Sequence, residues 1–374
     1  MSLGTILTVD RHNKRIVISG GGTGGHLYPG LAVADEFRRS ECEVLYIGSP
    51  RGLEAEVVPK EGYSFLAVPS KGIAGSPLRK VMALVHLGVG TVKALIRLLS
   101  WKPDLVVGTG GFVCVPAVVG GAILKVPVVL LEQNAVPGRA TKLLSRLAKA
   151  VCVSFDDSKK HFPGARTEWT GNPLRSSIQA KKKKEACKAL GLDPKRPTLL
   201  IAGASQGAQS INRAVVDALP HWADKKWNII HLTGRNHLAR VKARVETVLD
   251  DEARIAYHAF GFRKDMENLY SASDLVVSRA GATTIAELTS LGLPAIFVPY
   301  PFAGGHQKEN ARVVVHSGGA REIPDELVGE KLRDEVEMLL EDTELLNEMS
   351  AKSKEAARPD ASQCVVNVCR EVMK

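Results

Sequence analysis

The sequence has few aromatic residues, no CxxC pair and no Cys/His cluster at zinc spacing. Aromatics make up 5% of 374 residues, and none interleave with basic residues as in a nucleic-acid-binding stretch. No nucleic-acid partner is therefore expected. The six cysteines, Cys42, Cys114, Cys152, Cys187, Cys364 and Cys369, are scattered. That spacing predicts buried free thiols rather than a disulfide framework. No run of about 18 apolar residues is free of charge, so no transmembrane helix is expected. Met1–Asp10 lacks a basic leader region, so no signal peptide is expected. No metal-ligand set is evident, and no metal or cofactor is expected.

What is present is an ordinary globular composition, 45% hydrophobic and 24% charged, with a net charge of +10. Residues 1–173 carry 21 Lys+Arg against 13 Asp+Glu, while the remainder carries 29 against 27. The first half is the basic half, which suits a phosphorylated substrate or an anionic membrane face.

Short apolar runs alternate with helical patterns. Arg15–Ser19, Val44–Gly48, Leu105–Gly108, Val126–Leu131 and Ala150–Val153 read as strands, with helices over Leu31–Arg39, Pro77–Leu99 and Arg139–Ala148 between them. The alternation restarts at Thr198–Gly203, followed by a helix over Gln209–Leu219. Asn228–Leu232, Arg254–Tyr257, Leu275–Val277, Ala295–Val298 and Ala320–Glu322 read as further strands. This predicts an α/β chain with two doubly wound lobes, 14–173 and 174–356. A last helix, about 357–374, is free to return to the first lobe.

Six stretches carry candidate chemistry. Gly20–His26 (GGGTGGH) follows a strand and opens a helix, so its backbone can approach a phosphate or sugar closely. It satisfies GxGxxG, but the next strand ends Tyr46-Ile47-Gly48-Ser49 with no carboxylate, which speaks against a dinucleotide. No Gly-Lys-Ser/Thr follows, which excludes a P-loop. His26 stands at the loop's mouth, either as a helix-start residue bonding backbone or as a general base. Gly108–Val113 is a second glycine turn at the same sheet edge, and Glu132-Gln133-Asn134 ends another strand there. Gly203–Ala208 presents Ser205, and Arg175 lies just past the lobe junction Thr170–Arg175. Ser278–Glu287 (SRAGATTIAE) opens a helix with small residues, and Glu287 can accept from both ribose hydroxyls. Gln307 and Asn310 share a helix face suited to hexose hydroxyls.

Together, GGTGGH, EQN-x-x-x-G, TGNPxR, GxSQGA and SRxGAxTxxE resemble the MurG-type N-acetylglucosaminyltransferase family, in order and over nearly the whole chain. The resemblance implies a GT-B fold. It implies inverting transfer of N-acetylglucosamine from UDP-GlcNAc to the C4 hydroxyl of a lipid-linked muramoyl-pentapeptide, without cofactor, in peptidoglycan synthesis. It implies a peripheral protein on the cytoplasmic face of the bacterial membrane. Carried over, the donor contacts are Thr23, Gly24, Gly25, Asn134, Arg175, Ser205, Ala282, Thr283, Thr284, Ile285, Ala286, Glu287, Gln307 and Asn310. Arg263 meets uracil through its backbone, and His26 is the base. The sequence departs from the family pattern at Cys114-Val115, Leu131 and Gly304-Gly305. A UDP-GlcNAc 2-epimerase, another GT-B glycosyltransferase and a non-catalytic nucleotide-sugar binder are the competing readings.

The basic, apolar segment Lys71–Trp101 interleaves Lys71, Arg79, Lys80, Lys93, Arg97 and the following Lys102 with Ile73, Leu78, Val81, Met82, Leu84, Val85 and Leu87. It reads either as a core helix with basic flanks or as a surface that docks on anionic lipid.

Overall fold

The computed structural model describes residues 13–70, 72, 76–203, 207–250, 252–302 and 305–374. Two parallel sheets form the framework. The first holds β1 (Arg15–Ser19), β2 (Glu43–Gly48), β3 (Ser64–Ala67), β4 (Leu105–Gly108), β5 (Val128–Glu132), β6 (Ala150–Val153) and β7 (Thr167–Trp169) in the order β3-β2-β1-β4-β5-β6-β7. The second holds β8 (Thr198–Ala202), β9 (Asn228–Leu232), β10 (Ala256–Phe260), β11 (Leu275–Ser278), β12 (Ala295–Phe297) and β13 (Ala320–Glu322) in the order β10-β9-β8-β11-β12-β13. Every described pairing is parallel, as continuous apolar strands buried on both faces require. Each sheet reverses strand order beside its first strand. There the loops after the strands open a crevice, and the two crevices face each other.

In the first lobe, helices α1 (Gly24–Arg39), α2 (Leu53–Lys60), α3 (Pro77–Trp101) and α4 (Val115–Ile123) cover the sheet. The final helix, Ala361–Val372, returns to this lobe: Val365, Val366, Val368 and Cys369 are buried with Ile16, Val33, Phe37 and Ala150. Its Arg370 donates to Ser40 Oγ at the end of α1, 2.8 Å away.

Helix α3 departs from the expectation that nothing here is long and apolar enough to span a membrane. By length and composition it is, with a mean hydropathy of 1.6 over an 18-residue window. Isolated charges such as Lys93 and Arg97 do not offset its Leu, Val and Ile content. One face, Ala83, Leu87, Gly90, Ala94 and Leu98, is buried against the lobe. Gly90 lets α3 approach the backbone, since a side chain there would strike the Pro69 carbonyl. The opposite face leaves Leu78 (71% exposed), Val81, Leu84, Val85, Val92 and Ile96 bare to solvent. Lys71 and Ile73, read as part of this surface, lie outside the described residues.

All six cysteines are free. Cys114, Cys152, Cys187 and Cys369 are buried as expected, while Cys42 is half-buried and Cys364 exposed.

Candidate active site

Between the lobes lies a cleft of about 520 Å³, a normal size for a small-molecule site. Its first-lobe wall is built from the glycine loop. Gly21 and Gly22 adopt φ 148° and 78°. A Cβ on Gly20 would come within 1.8 Å of Thr109 Oγ1, and one on Gly21 within 2.3 Å of the Glu54 carboxyl. Only glycine fits this turn. Glu54, fully buried on α2, accepts from Gly22 N–H at 2.8 Å and Ser49 N–H at 3.0 Å. A dinucleotide site calls for a carboxylate at the end of β2; here one stands six residues after that strand and binds the glycine loop itself.

Thr23, Gly24, Gly25 and His26 line the cleft. Thr23 caps α1 without a side-chain bond to the helix, so its hydroxyl occupies none of the first-turn N–H groups, while its carbonyl accepts from His26 N–H at 3.2 Å and Leu27 N–H at 3.1 Å. His26 Nδ1 sits 3.0 Å from Gln133 Oε1, and Gln133 Nε2 donates to the Thr109 carbonyl at 3.0 Å. Thr109 Oγ1 in turn donates to the His26 carbonyl at 2.8 Å. The second glycine turn packs on this imidazole. A Cβ on Gly110, whose φ is 100°, would lie 2.9 Å from His26 Nδ1.

The opposing wall is the helix Ala282–Leu291. Gly281 caps it without a side-chain bond, and Ala282, Thr283, Thr284 and Glu287 face the cleft. Ile285 and Ala286 lie on its other side, against a separate interlobe cavity beside Phe155 and Trp169. Neither is among the residues that line the cleft. Glu287 is buried, with 6% of its surface exposed. Tyr270 Oη donates to its Oε2 at 2.8 Å, and Arg175 Nη2 lies 3.4 Å from its Oε1. Burial pushes this carboxyl above the usual range, against the opposing pull of Arg175 and Tyr270. The Arg175 guanidinium also lies 4.2 Å above the ring of Tyr28 on α1, so one side chain touches both lobes.

Gln307 reaches the cleft, its Oε1 held by Tyr300 N–H at 2.9 Å and its amide nitrogen without a partner among the described residues. Asn310 does not. It is fully buried: its Oδ1 accepts from Ala135 N–H at 2.8 Å, and its Nδ2 donates to Asn134 Oδ1 and the Ala280 carbonyl, each at 3.2 Å. The helical spacing that suggested two hexose-reading amides puts one on the cleft and uses the other to tie the lobes together. Asn134 lines the cleft, but Glu132 and Asn310 both hold its amide. The Arg263 side chain pairs with Asp265 at 2.6 Å and turns from the cleft, while its neighbours Gly261 and Phe262 line it. Ser205 lies outside the described residues. Arg279, inside the most specific motif, is structural: it bonds Asp325 at 2.6 Å and the Val298 carbonyl at 3.0 Å.

Residues 16–153 match the glycosyltransferase family 28 N-terminal domain and residues 198–365 its C-terminal domain. The chain belongs to glycosyltransferase family 28. One family 28 relative, the UDP-N-acetylglucosamine--N-acetylmuramyl-(pentapeptide) pyrophosphoryl-undecaprenol N-acetylglucosamine transferase of Halothermothrix orenii, is 40% identical across 96% of this chain and 99% of its own length. The protein of that name from Listeria welshimeri is 38% identical across 96% of this chain and 100% of its own. Among solved structures, Acinetobacter baumannii MurG superposes with a TM-score of 0.76 at 28% identity, over 96% of this chain and 99% of that one. A UDP-GlcNAc 2-epimerase from Neisseria meningitidis superposes at 0.68 with 15% identity, over 96% of this chain and 100% of that one, a likeness of fold alone.

Proposed function

We propose that this family 28 enzyme transfers N-acetylglucosamine from UDP-GlcNAc to the C4 hydroxyl of undecaprenyl-diphospho-muramoyl-pentapeptide, with inversion at the anomeric carbon. The observation that carries the reading is one cleft with His26 on one wall and the Arg175–Glu287 pair on the other. It agrees with the 40% identity to the Halothermothrix orenii enzyme.

In this reading the ribose hydroxyls bind Glu287, and uracil lies near the backbone of Gly261–Arg263. The diphosphate meets Arg175, Ser205 and the helix end at Ala282–Thr284, where unbonded N–H groups favour negative charge. Thr23–Gly25, Asn134 and Gln307 surround the sugar. His26 takes the proton from the acceptor hydroxyl as its oxygen forms a bond to the anomeric carbon. The bond from that carbon to the diphosphate breaks, and UDP leaves with the electron pair. Arg175 and the helix N–H groups stabilise the charge that develops on the leaving group.

The acceptor is lipid-linked, and the bare apolar face of α3 with Arg79, Lys80, Lys93 and Arg97 on the same helix suits an anionic membrane surface. The enzyme would lie against the cytoplasmic leaflet with α3 in the interface.

Substituting His26→Ala tests the chemistry. Turnover with the lipid acceptor is expected to fall by about 10²–10⁴-fold while UDP-GlcNAc affinity holds. Wild-type turnover in that variant refutes His26 as the base.

A further inference from the structure

Gln133 is 3% exposed and directly follows β5 at the first-lobe rim of the cleft. Its amide has one possible orientation. The Thr109 carbonyl only accepts, so the amide NH2 must face it, and Oε1 must face His26. That oxygen only accepts as well, so His26 Nδ1 must carry the hydrogen. We infer that Gln133 is a positioning residue that locks His26 in the Nδ1–H tautomer and so leaves the Nε2 lone pair free in the cleft. The inference rests on the reading of His26 as the base.

The lock has chemical consequence because a free neutral imidazole favours the opposite tautomer, with hydrogen on Nε2. A histidine in that form presents a donor to the acceptor hydroxyl and cannot take its proton through Nε2. The amide itself sits on a rigid mount. Glu132, beside it, accepts from Asn134 N–H at 3.0 Å and from Gly138 N–H at 3.1 Å, which pins the chain just after β5. Thr109 closes the circuit by holding the His26 carbonyl with its hydroxyl and the Gln133 amide with its own carbonyl. A Cβ on Gly110 would lie 2.9 Å from Nδ1 and 3.3 Å from Oε1, so only glycine leaves room for this pair. An amide also orients the ring without adding negative charge to a cleft that must accept a diphosphate.

The test combines ¹⁵N NMR of the His26 ring in the full-length protein with turnover, in Gln133→Met and Gln133→Glu. Methionine keeps length and removes the acceptor. Glutamate keeps an acceptor facing Nδ1. Wild type is expected to show the Nδ1–H form, Q133M to shift to Nε2–H and lose at least about ten-fold in turnover, and Q133E to restore the Nδ1–H form. Retained UDP-GlcNAc binding by calorimetry shows that each variant is folded. A ring that stays Nδ1–H in Q133M, or that is Nε2–H in wild type, overturns the inference. A tautomer that inverts in Q133M with turnover intact upholds the lock and refutes instead the role of His26 as base.

Discussion

Arg175 lies 3.4 Å from the buried carboxylate of Glu287 while its guanidinium covers the Tyr28 ring of the other lobe. The pair stands where the nucleotide is proposed to bind, so donor binding must exchange this contact for ribose and phosphate. Glu287→Gln keeps the volume but loses one of two strong acceptor oxygens. UDP affinity, read by calorimetry, is expected to fall about ten-fold or more. Unchanged affinity would place the ribose elsewhere.

The same substitution has a pH signature. The folded-state carboxyl of Glu287 titrates above its ordinary value because burial outweighs Arg175 and Tyr270. Its contribution to stability is therefore complete below the usual carboxylate range and is lost as pH rises through the raised value. Melting curves from about pH 4 to about pH 8 are expected to show E287Q gaining on wild type as pH rises. Parallel curves would contradict this.

Glu54 is expected to matter despite lying outside the cleft. Its carboxylate receives two backbone N–H groups, from Gly22 and Ser49. Glu54→Gln turns one acceptor into a donor facing an N–H. Chemical denaturation is expected to show a loss of about 1.5–3 kcal/mol, with slower turnover as the glycine loop loosens. Equal stability and turnover would remove Glu54 from the account.

Much of this site was readable from the chain, for a physical reason. Buried parallel strands are continuous apolar runs, so β1, β4, β6 and β9 were legible to the residue; β13 (ARE) has its expected bounds although it is a partly buried edge strand. The edge strands β3 (SFLA) and β7 (TEW) were not, because they are short and only partly buried. The helical apolar pattern reads clearly only from Leu31, whereas the helix begins at Gly24. Its opening Gly24-Gly25 and internal Pro29 look like loop to any propensity argument. Helix spacing put Gln307 and Asn310 on one face and had no means of showing that Asn310 is sealed between the lobes. Glu54 was missed as a site residue, and Gln133 was legible only as one of the polar groups at the β5 edge, because their partners are backbone carbonyl and N–H groups and an imidazole distant in sequence. No local pattern announces such contacts.

Gly110 offers a steric test of the imidazole's seat. Its positive φ and the 2.9 Å that would separate a Cβ there from His26 Nδ1 both forbid a side chain. Gly110→Ala is expected to cost about 1–3 kcal/mol in stability and to reduce turnover, with little change in UDP affinity. Full activity would mean that the turn tolerates a shifted His26.

Helix α3 predicts a membrane preference. Replacing exposed Val85 and Ile96 together by glutamate is expected to abolish sedimentation with anionic vesicles. Turnover of a water-soluble acceptor analogue should be spared. Undiminished vesicle binding would remove α3 from the docking surface.

Acceptor-dependent release of UDP bears most directly on the function. With UDP-GlcNAc and a lipid-linked muramoyl-pentapeptide, the enzyme is expected to release UDP in step with a β-linked disaccharide, and to release almost none without the acceptor. UDP release, or conversion of the sugar nucleotide, that is the same with and without the acceptor would contradict the transfer.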